Sequence, residues 1–436
     1  MVRRLLLAVA VVIVLAAGGF VLWARQPAIA TIAPPEPSHF DKASIARGAA
    51  LAAMGDCAEC HTAPGGEPFA GGYPLPTPFG TIYGSNITPD PETGIGRWSE
   101  AAFRRAMHEG VARNGGYLYP AFPYPHFTRV SDGDVKAIYA YLMTRPAVDN
   151  RVPPPQLPFP LSIRLVMAGW NLLFLDDRRF TPDAAQSGLW NRGAYIAEGL
   201  GHCNACHGPR SALGAEILSR RWTGGESEGW DAPALGAASP APLPWSEEDL
   251  VTYLADGLVG DHGVPAGPME GVARDLKQLP AADLAALATY VASLAPPRPA
   301  AEVKAAQEAA ERAAWQPATA LAAAEAGPAA TGAQIFAGAC ASCHSAGEGQ
   351  PFYRPVELGL SSVVNAPGPR NFINIVVDGI APPPGAHGRS MPPFGTALSD
   401  PQITLLAQYV RGHFSAKPPW TEIGESLLAA RQGKGP

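Results

Sequence analysis

The feature that most constrains this chain is a five-residue motif, C-x-x-C-H, which occurs three times. This motif is the attachment signature for c-type haem, because two thiols add to the haem vinyl groups and the adjacent histidine reaches the iron. The copies use all six cysteines of the chain: Cys57, Cys60 and His61; Cys203, Cys206 and His207; Cys340, Cys343 and His344. The sequence therefore predicts three covalently bound haem c groups, each with a histidine on one side of the iron.

Three other uses of paired cysteines fit less well. A structural zinc site needs four ligands, usually from two such pairs brought together, whereas each pair here carries its own histidine. A thioredoxin-type redox pair belongs to a βαβ context, which the sequence does not show. Structural disulfides would leave the threefold recurrence of histidine unexplained.

Composition limits the remaining possibilities. Hydrophobic residues make up 47% of the 436 residues, enough for several small cores. The formal net charge is −6, which argues against nucleic acid as a partner. Glycine and proline each occur 47 times, which indicates long loops between short helices.

The amino terminus predicts export. Two arginines precede an uncharged apolar run of 19 residues, 5–23, which approaches the ~20 residues needed to span a bilayer. Positive charge at the start favours an amino terminus inside and the remainder outside. Ala28–Ala30 also resembles a signal-peptidase site, so residues 1–30 are predicted to be either a membrane anchor or a cleaved signal. The expected location is the periplasmic face of the bacterial inner membrane.

A single unit of sequence is repeated around the motifs. An amphipathic helix carries a glycine 8 to 10 residues before each first cysteine: Gly48, Gly193 and Gly332. A second helix downstream ends in glycine, which we call the landmark glycine: Gly110, Gly257 and Gly379. In the first two copies this helix is predicted to start after an N-cap serine, Ser99 or Ser246. A closing helix carries a tyrosine in each copy: Tyr141, Tyr290 and Tyr409. We expect the glycines to let the first and closing helices cross closely beside these aromatic rings.

This order predicts an all-α fold of three tandem class I cytochrome c domains with long Gly/Pro-rich loops. The expected domains are residues 41–150, 187–297 and 329–415. Residues 151–186 are a linker with an apolar segment that packs between domains, against a partner, or as an ordinary core helix. Residues 298–328 are an Ala/Pro-rich linker, and the tail 416–436 contains one short amphipathic helix.

The second axial ligand of each iron is expected in the loop before the closing helix. Met269 and Met391 each lie twelve residues after the landmark glycine, and a methionine opposite histidine raises the haem potential. The first unit has Phe122 at this position, which cannot bind iron. We expect His126, four residues further on, to be the ligand there. An open iron site and ligation by Met107 are the alternatives.

Several stretches resemble the three-haem cytochrome c subunits of membrane-associated bacterial dehydrogenases. They include TPFGTIYGSNITPDPETGIGRWSE, LYPAFPYPHF, AGPME and MPPFGTALSD, and the resemblance covers essentially the whole mature chain. Such subunits accompany alcohol, gluconate and sugar dehydrogenases with quinone or flavin cofactors, or molybdenum hydroxylases. The segment PFPLSIRLVMAGWNLLFLDD favours the molybdenum group.

The resemblance implies a role rather than a reaction. A catalytic dehydrogenase subunit would supply electrons, and ubiquinone, a terminal oxidase or another respiratory carrier would accept them at the membrane. Two alternatives remain: a peroxidase-like haem enzyme with an open iron in the first domain, and a free-standing electron shuttle. The sequence shows no catalytic triad, phosphate-binding loop or dinucleotide fingerprint.

Overall fold

The computed structural model describes residues 1–314, 328–344, 356–380 and 391–433. The chain is mostly helical and divides into two compact units. One contains Met1–Ala185 and Ala194–His202, and the other contains Gln186–Gly193 and Cys203–Pro436.

The first unit begins with a long apolar helix and continues with the elements around the first motif. Its helices are α1 (Val2–Ala24), α2 (Lys42–Met54), α3 (Cys57–His61), α4 (Glu100–Glu109), α5 (Tyr124–Phe127), α6 (Asp132–Met143) and α7 (Val166–Phe174), with a 3₁₀ turn at Pro37–His39. A two-stranded antiparallel sheet joins β1 (Pro74–Thr77) to β2 (Gly80–Tyr83). Helix α8 (Gly188–Glu198) contributes residues to both units.

The second unit contains the second and third motifs. Its helices are α9 (Asn204–His207), α10 (Glu247–Asp256), α11 (Pro268–Leu276), α12 (Ala281–Ala292), α13 (Ala300–Ala313), α14 (Pro328–Ala339), α15 (Ala341–His344), α16 (Arg370–Asp378), α17 (Asp400–Phe414) and α18 (Ile423–Arg431), with a 3₁₀ turn at Leu218–Arg220. A second antiparallel hairpin pairs β3 (Gly225–Ser227) with β4 (Trp230–Ala232).

The predicted helix crossing is present in all three repeats. A Cβ atom on Gly48 in α2 would lie 2.6 Å from the carbonyl carbon of Ala137 and 2.7 Å from Tyr141 Cβ in α6. Any side chain would push the two helices apart, so only glycine allows this approach. The same contact recurs between Gly193 and Tyr290 Cβ and between Gly332 and Tyr409 Cβ, each at 2.7 Å.

Helix ends also follow the predictions. Ser99 and Ser246 are N-caps whose hydroxyls accept backbone N–H groups, and Ser246 completes a capping box with Asp249. Gly110 and Gly257 end their helices with positive φ angles of 63° and 80°, a conformation that glycine adopts without strain.

Other predictions need correction or completion. The all-α prediction omitted the two short hairpins, since their strands of three and four residues are too brief for a period-2 pattern. In the linker 298–328, residues 300–313 form α13, whereas 315–327 lie outside the described residues.

The tail helix is confirmed as α18. Helix α7 buries Met167 and Ala168 in a cluster of the first unit.

Candidate haem-binding sites

Each motif is wound into a single helical turn directly after the first helix of its repeat. In α9, the His207 N–H donates to the carbonyl of Cys203 at 2.9 Å, and in α15 the His344 N–H donates to Cys340 at 3.0 Å. One turn of helix therefore places both thiols and the imidazole of a motif on a short, rigid segment.

The first two motif histidines are held in one orientation. His61 Nδ1 lies 2.6 Å from the Ser85 carbonyl, and His207 Nδ1 lies 2.7 Å from the Pro233 carbonyl. Because a carbonyl only accepts, Nδ1 carries the proton and Nε2 is left as the atom available to iron. Burial also lowers the pKa of both imidazoles, which keeps them in the neutral form that binds metal.

The hairpins that the sequence did not predict hold these histidines. Gly71 N–H, just before the first hairpin, donates to the His61 carbonyl at 2.7 Å, and Gly224 N–H donates to the His207 carbonyl at 2.9 Å. Ser85 and Pro233, which accept from the imidazoles, follow the second strand of each hairpin. The residues that flank each hairpin therefore contact both the backbone and the ring of its histidine.

The thiols of the second motif lack the lowered pKa of a redox-active pair. All six cysteines lie within the described residues, and none is in a disulfide. Burial raises the pKa of Cys203 to about 12 and that of Cys340 to about 11, whereas thioredoxin-type pairs depend on a lowered thiol pKa. The second motif therefore offers two neutral thiols beside a neutral imidazole, a donor set that fits haem c.

Met269 lies in the first turn of α11, partly buried, two residues after a glycine in an unusual conformation. Gly267 has a φ of 57°, and a Cβ there would lie 2.7 Å from the indole nitrogen of Trp230. This packing fixes the backbone at the start of α11, and it therefore fixes the position of Met269.

Met391 is held by a short backbone bridge. Its N–H and carbonyl pair with those of Ile380, both at 2.8 Å, and its side chain packs against the core cluster of the third repeat. Gly379 precedes the bridge with a φ of 73° and closely approaches the Met391 carbonyl. Residues 381–390 between the bridge partners lie outside the described residues.

The first repeat differs at this position, and one part of its prediction was wrong. Phe122 contacts the rings of Tyr124 and Phe127, and Met107 is buried on α4. His126 was expected in the loop before the closing helix, but it lies on the helical turn α5 and is only 7% exposed. The proline at the N-cap of this turn masked a helix in the sequence.

His126 shares one feature with the two motif histidines described above. Its Nδ1 lies 3.0 Å from the backbone carbonyl of Glu198, as theirs lie against Ser85 and Pro233. The ring centroid of His202, the residue before Cys203, is 6.3 Å away. A buried imidazole fixed through Nδ1 is suited to metal binding through Nε2.

Two ion pairs beside the helix crossings were not predicted. Arg47 Nε donates to Asp134 at 2.7 Å, and Arg192 binds Asp283 through two bonds of 2.7 and 2.8 Å. The signal was present in the repeated Arg-Gly dipeptide on the first helix and an aspartate opening the closing helix. These pairs join the same two helices that the glycines bring together.

Comparison with known sequences agrees with this geometry. The profile of a family described as "Cytochrome c" matches residues 45–146, and that of "Cytochrome C oxidase, cbb3-type, subunit III" matches residues 327–410. The site and these matches define the class: the chain is a c-type cytochrome, with covalently bound haem c.

Three similar proteins define the family more closely. The chain is 38% identical to the gluconate 2-dehydrogenase cytochrome c subunit of Pantoea cypripedii, covering 89% of this chain and 90% of that protein. It is 35% identical to the fructose dehydrogenase cytochrome subunit of Gluconobacter japonicus, covering 87% and 81%. It is 43% identical to a nicotinate dehydrogenase subunit of Pseudomonas putida over 93% of this chain, but it spans only 33% of that protein's length.

The chain therefore belongs to the family of cytochrome c subunits of dehydrogenases. Members of this family are electron-transfer components rather than catalytic subunits.

Proposed function

We propose that this chain is a three-haem subunit that takes electrons from a catalytic dehydrogenase and passes them to ubiquinone or another respiratory carrier. The observation that carries the proposal is the threefold repeat of one arrangement, a C-x-x-C-H turn beside a glycine-mediated helix crossing. The three tandem domains are residues 41–150, 187–297 and 329–415.

The roles of the residues follow from their chemistry. The six motif cysteines would attach the haems, and His61, His207 and His344 would bind iron on one side. Met269 and Met391 would bind on the other side, where a thioether favours the reduced state and raises the potential. Haem iron supplies one-electron chemistry when bound, and ligands on both sides leave no position for a substrate.

His126 is proposed as the second ligand of the first haem. Its burial and its Nδ1 contact with the Glu198 carbonyl support this role, and Phe122 offers no donor. Carbon monoxide distinguishes this proposal from a peroxidase-like open site, since a closed six-coordinate iron does not bind it. Carbon monoxide binding by the unmodified, reduced protein at one haem would favour the open site.

A molybdenum hydroxylase is the proposed partner class. The segment PFPLSIRLVMAGWNLLFLDD favours it. The relative with 43% identity is named for nicotinate, and nitrogen heterocycles of this kind are substrates of molybdenum hydroxylases. Dehydrogenases with a quinone or flavin cofactor are the alternative, because the gluconate and fructose relatives share most of their length with this chain.

The amino-terminal helix is proposed to be a retained membrane anchor at the periplasmic face. Among the described residues, Val2–Ala24 has the length and composition to cross a membrane, a test that a signal sequence also passes. Retention is supported by the segment that follows. Tyr117 Oη donates to the Ala24 carbonyl at 2.9 Å, and Ile29 pairs with the Arg113 carbonyl and guanidinium at 2.8 and 3.0 Å. The candidate cleavage site around Ile29 is thus bonded to the first unit.

Helix α7 supports the same placement. Its polar side chain, Asn171, faces inward and accepts a hydrogen bond from Tyr124 Oη at 2.5 Å, whereas Leu172 and Leu173 are 68% and 69% exposed. Phe20 of α1 packs against the cluster that α7 covers. A helix that faces its leucines outward beside an apolar anchor suits a membrane surface.

A reduction assay tests the electron-transfer role. Full-length protein matured in a periplasm and purified alone should show no haem reduction with alcohol, aldehyde, sugar or nicotinate. Adding the catalytic subunit that copurifies from native membranes should make haem reduction depend on that subunit's substrate. Substrate-dependent reduction by the isolated chain, free of flavin, quinone and molybdenum, would overturn the proposal.

A further inference from the structure

The hairpin β3–β4 contacts both sides of the second candidate haem site. On the histidine side, Pro233 accepts from His207 Nδ1 at 2.7 Å. On the methionine side, the Trp230 ring packs against Gly267, two residues before Met269. A displacement of this one hairpin would therefore move the supports of both axial ligands.

Helix α16, from the third repeat, holds this hairpin. Asn371 Nδ2 donates to the Asp231 carbonyl, and the Asp231 N–H donates back to Asn371 Oδ1, both at 2.8 Å. Asn374 Nδ2, on a residue that is 8% exposed, donates to the Gly229 carbonyl at 3.0 Å. Two buried or half-buried amides thus fix the backbone of a hairpin that belongs to another repeat.

An arginine adds charge to these contacts. Arg370 Nη1 lies 2.8 Å from Glu226 Oε2 and 3.0 Å from Asp231 Oδ1, one carboxylate on each strand. Its side chain is 24% exposed, so the attraction is screened less than in a fully exposed pair. Burial raises the pKa of Asp231, and the Arg370 guanidinium opposes that rise.

The equivalent hairpin of the first repeat is held differently. There, Gln156 N–H, in the segment that follows the first repeat, donates to the Thr81 carbonyl at 2.8 Å. The first hairpin is thus bonded to the segment that follows its own repeat, whereas the second is bonded to a helix of the next repeat.

We propose that Arg370, Asn371 and Asn374 form a positioning clamp through which the third repeat sets the axial geometry and reduction potential of the second haem. The charge effect has a definite sign. Without the guanidinium, the two carboxylates on the hairpin beside His207 lack their partner, and negative charge favours the more positive oxidised iron. The second haem would then have a lower potential. This inference rests on the proposed attachment of that haem at Cys203, Cys206 and His207.

The test is a redox titration of full-length, fully matured protein carrying Arg370→Met. Met269→Leu serves as the reference that identifies which titration component belongs to the second haem. Arg370→Met should shift that component to lower potential and leave the other two unchanged. Arg312→Met, which removes an exposed ion pair with Glu308 on α13, is the matched control and should shift none.

Two further variants separate the charge effect from a general loss of structure. Arg370→Lys keeps the charge and should stay close to the wild-type potential. Asp231→Asn combined with Arg370→Met should move the second haem back toward the wild-type value, because it removes one unpaired carboxylate. If Arg370→Lys lowers the potential as Arg370→Met does, and the double variant does not move it back, Arg370 is only a structural contact. That result would overturn the inference.

Haem content distinguishes this failure from that of the proposed function. Three haems in Arg370→Met with three unchanged potentials would refute the clamp and leave the three-haem assignment intact. A wild-type protein without haem at Cys203 and Cys206 would refute the assignment itself.

Discussion

Replacing Gly193 with alanine should destabilise the second repeat. The added Cβ would lie 2.7 Å from both the carbonyl carbon of Ala286 and Tyr290 Cβ, and closer still to the Ala286 carbonyl oxygen. Cβ atoms essentially never approach other atoms within 3.0 Å, and the oxygen belongs to a helix backbone that cannot rotate away. Helices α8 and α12 must therefore part by on the order of 1 Å in a close-packed interface.

Overpacking of this kind costs about 1–3 kcal/mol. In a domain of about 100 residues, roughly 2 kcal/mol lowers Tm by on the order of 10 °C. Gly188, on the same helix, provides a matched control, since a Cβ there meets nothing within 4 Å. Gly188→Ala should be neutral or slightly stabilising, because alanine restricts the unfolded chain more than glycine does.

Hydrogen exchange of peptides from α8 and α12, measured as denaturant is added, reports on this crossing directly. Gly193→Ala should lower the denaturant concentration at which both peptides lose protection, and Gly188→Ala should not. Equal protection in Gly193→Ala and the wild type would refute the close helix approach.

Two other variants test proposed iron ligands, and a third tests the stability of the first unit. Met269→Leu should remove one sulfur-to-iron absorption feature and lower one haem potential, and an unchanged titration would show that Met269 is not a ligand. His126→Ala should convert one haem to high spin and let the reduced protein bind carbon monoxide, whereas an unchanged spectrum would exclude His126. His108 is buried on α4, and its Nδ1 lies 2.6 Å from Arg179 Nη2. Burial and this guanidinium lower the pKa of His108 to about 4, so between about pH 6.5 and 4 the unfolded chain binds a proton that the folded protein does not. Unfolding at several pH values should show stability falling through that window, and His108→Gln should flatten the fall; equal slopes would contradict this.

The helical parts of the fold were predictable because each signal is local. A helix-ending glycine, an N-cap residue and a helical repeat of apolar residues each depend only on residues within a few turns of the chain. The helices around Ser99, Ser246 and the landmark glycines could therefore be predicted from the sequence. The crossing of the first and closing helices could be predicted because the same glycine and tyrosine recur in all three repeats, which indicates that the two residues are in contact in each.

The parts that were missed depend on contacts between distant segments. The Ser85 and Pro233 carbonyls orient their histidines from 24 and 26 residues away, and any residue type could supply such a carbonyl. Arg370 and Asp231 are 139 positions apart in the chain, and neither lies in a recognisable pattern. The turn at His126 was hidden because prolines around it indicated a loop.

A spectroelectrochemical titration of the full-length protein, normalised to haem content by pyridine haemochrome and intact mass, tests the three-haem claim most directly. We expect three covalent haems per chain and three one-electron steps. Two of these steps should belong to histidine–methionine haems and should be lost one at a time in the Met269 and Met391 variants. Two or fewer haems in fully matured protein, or two electron steps in total, would contradict the claim.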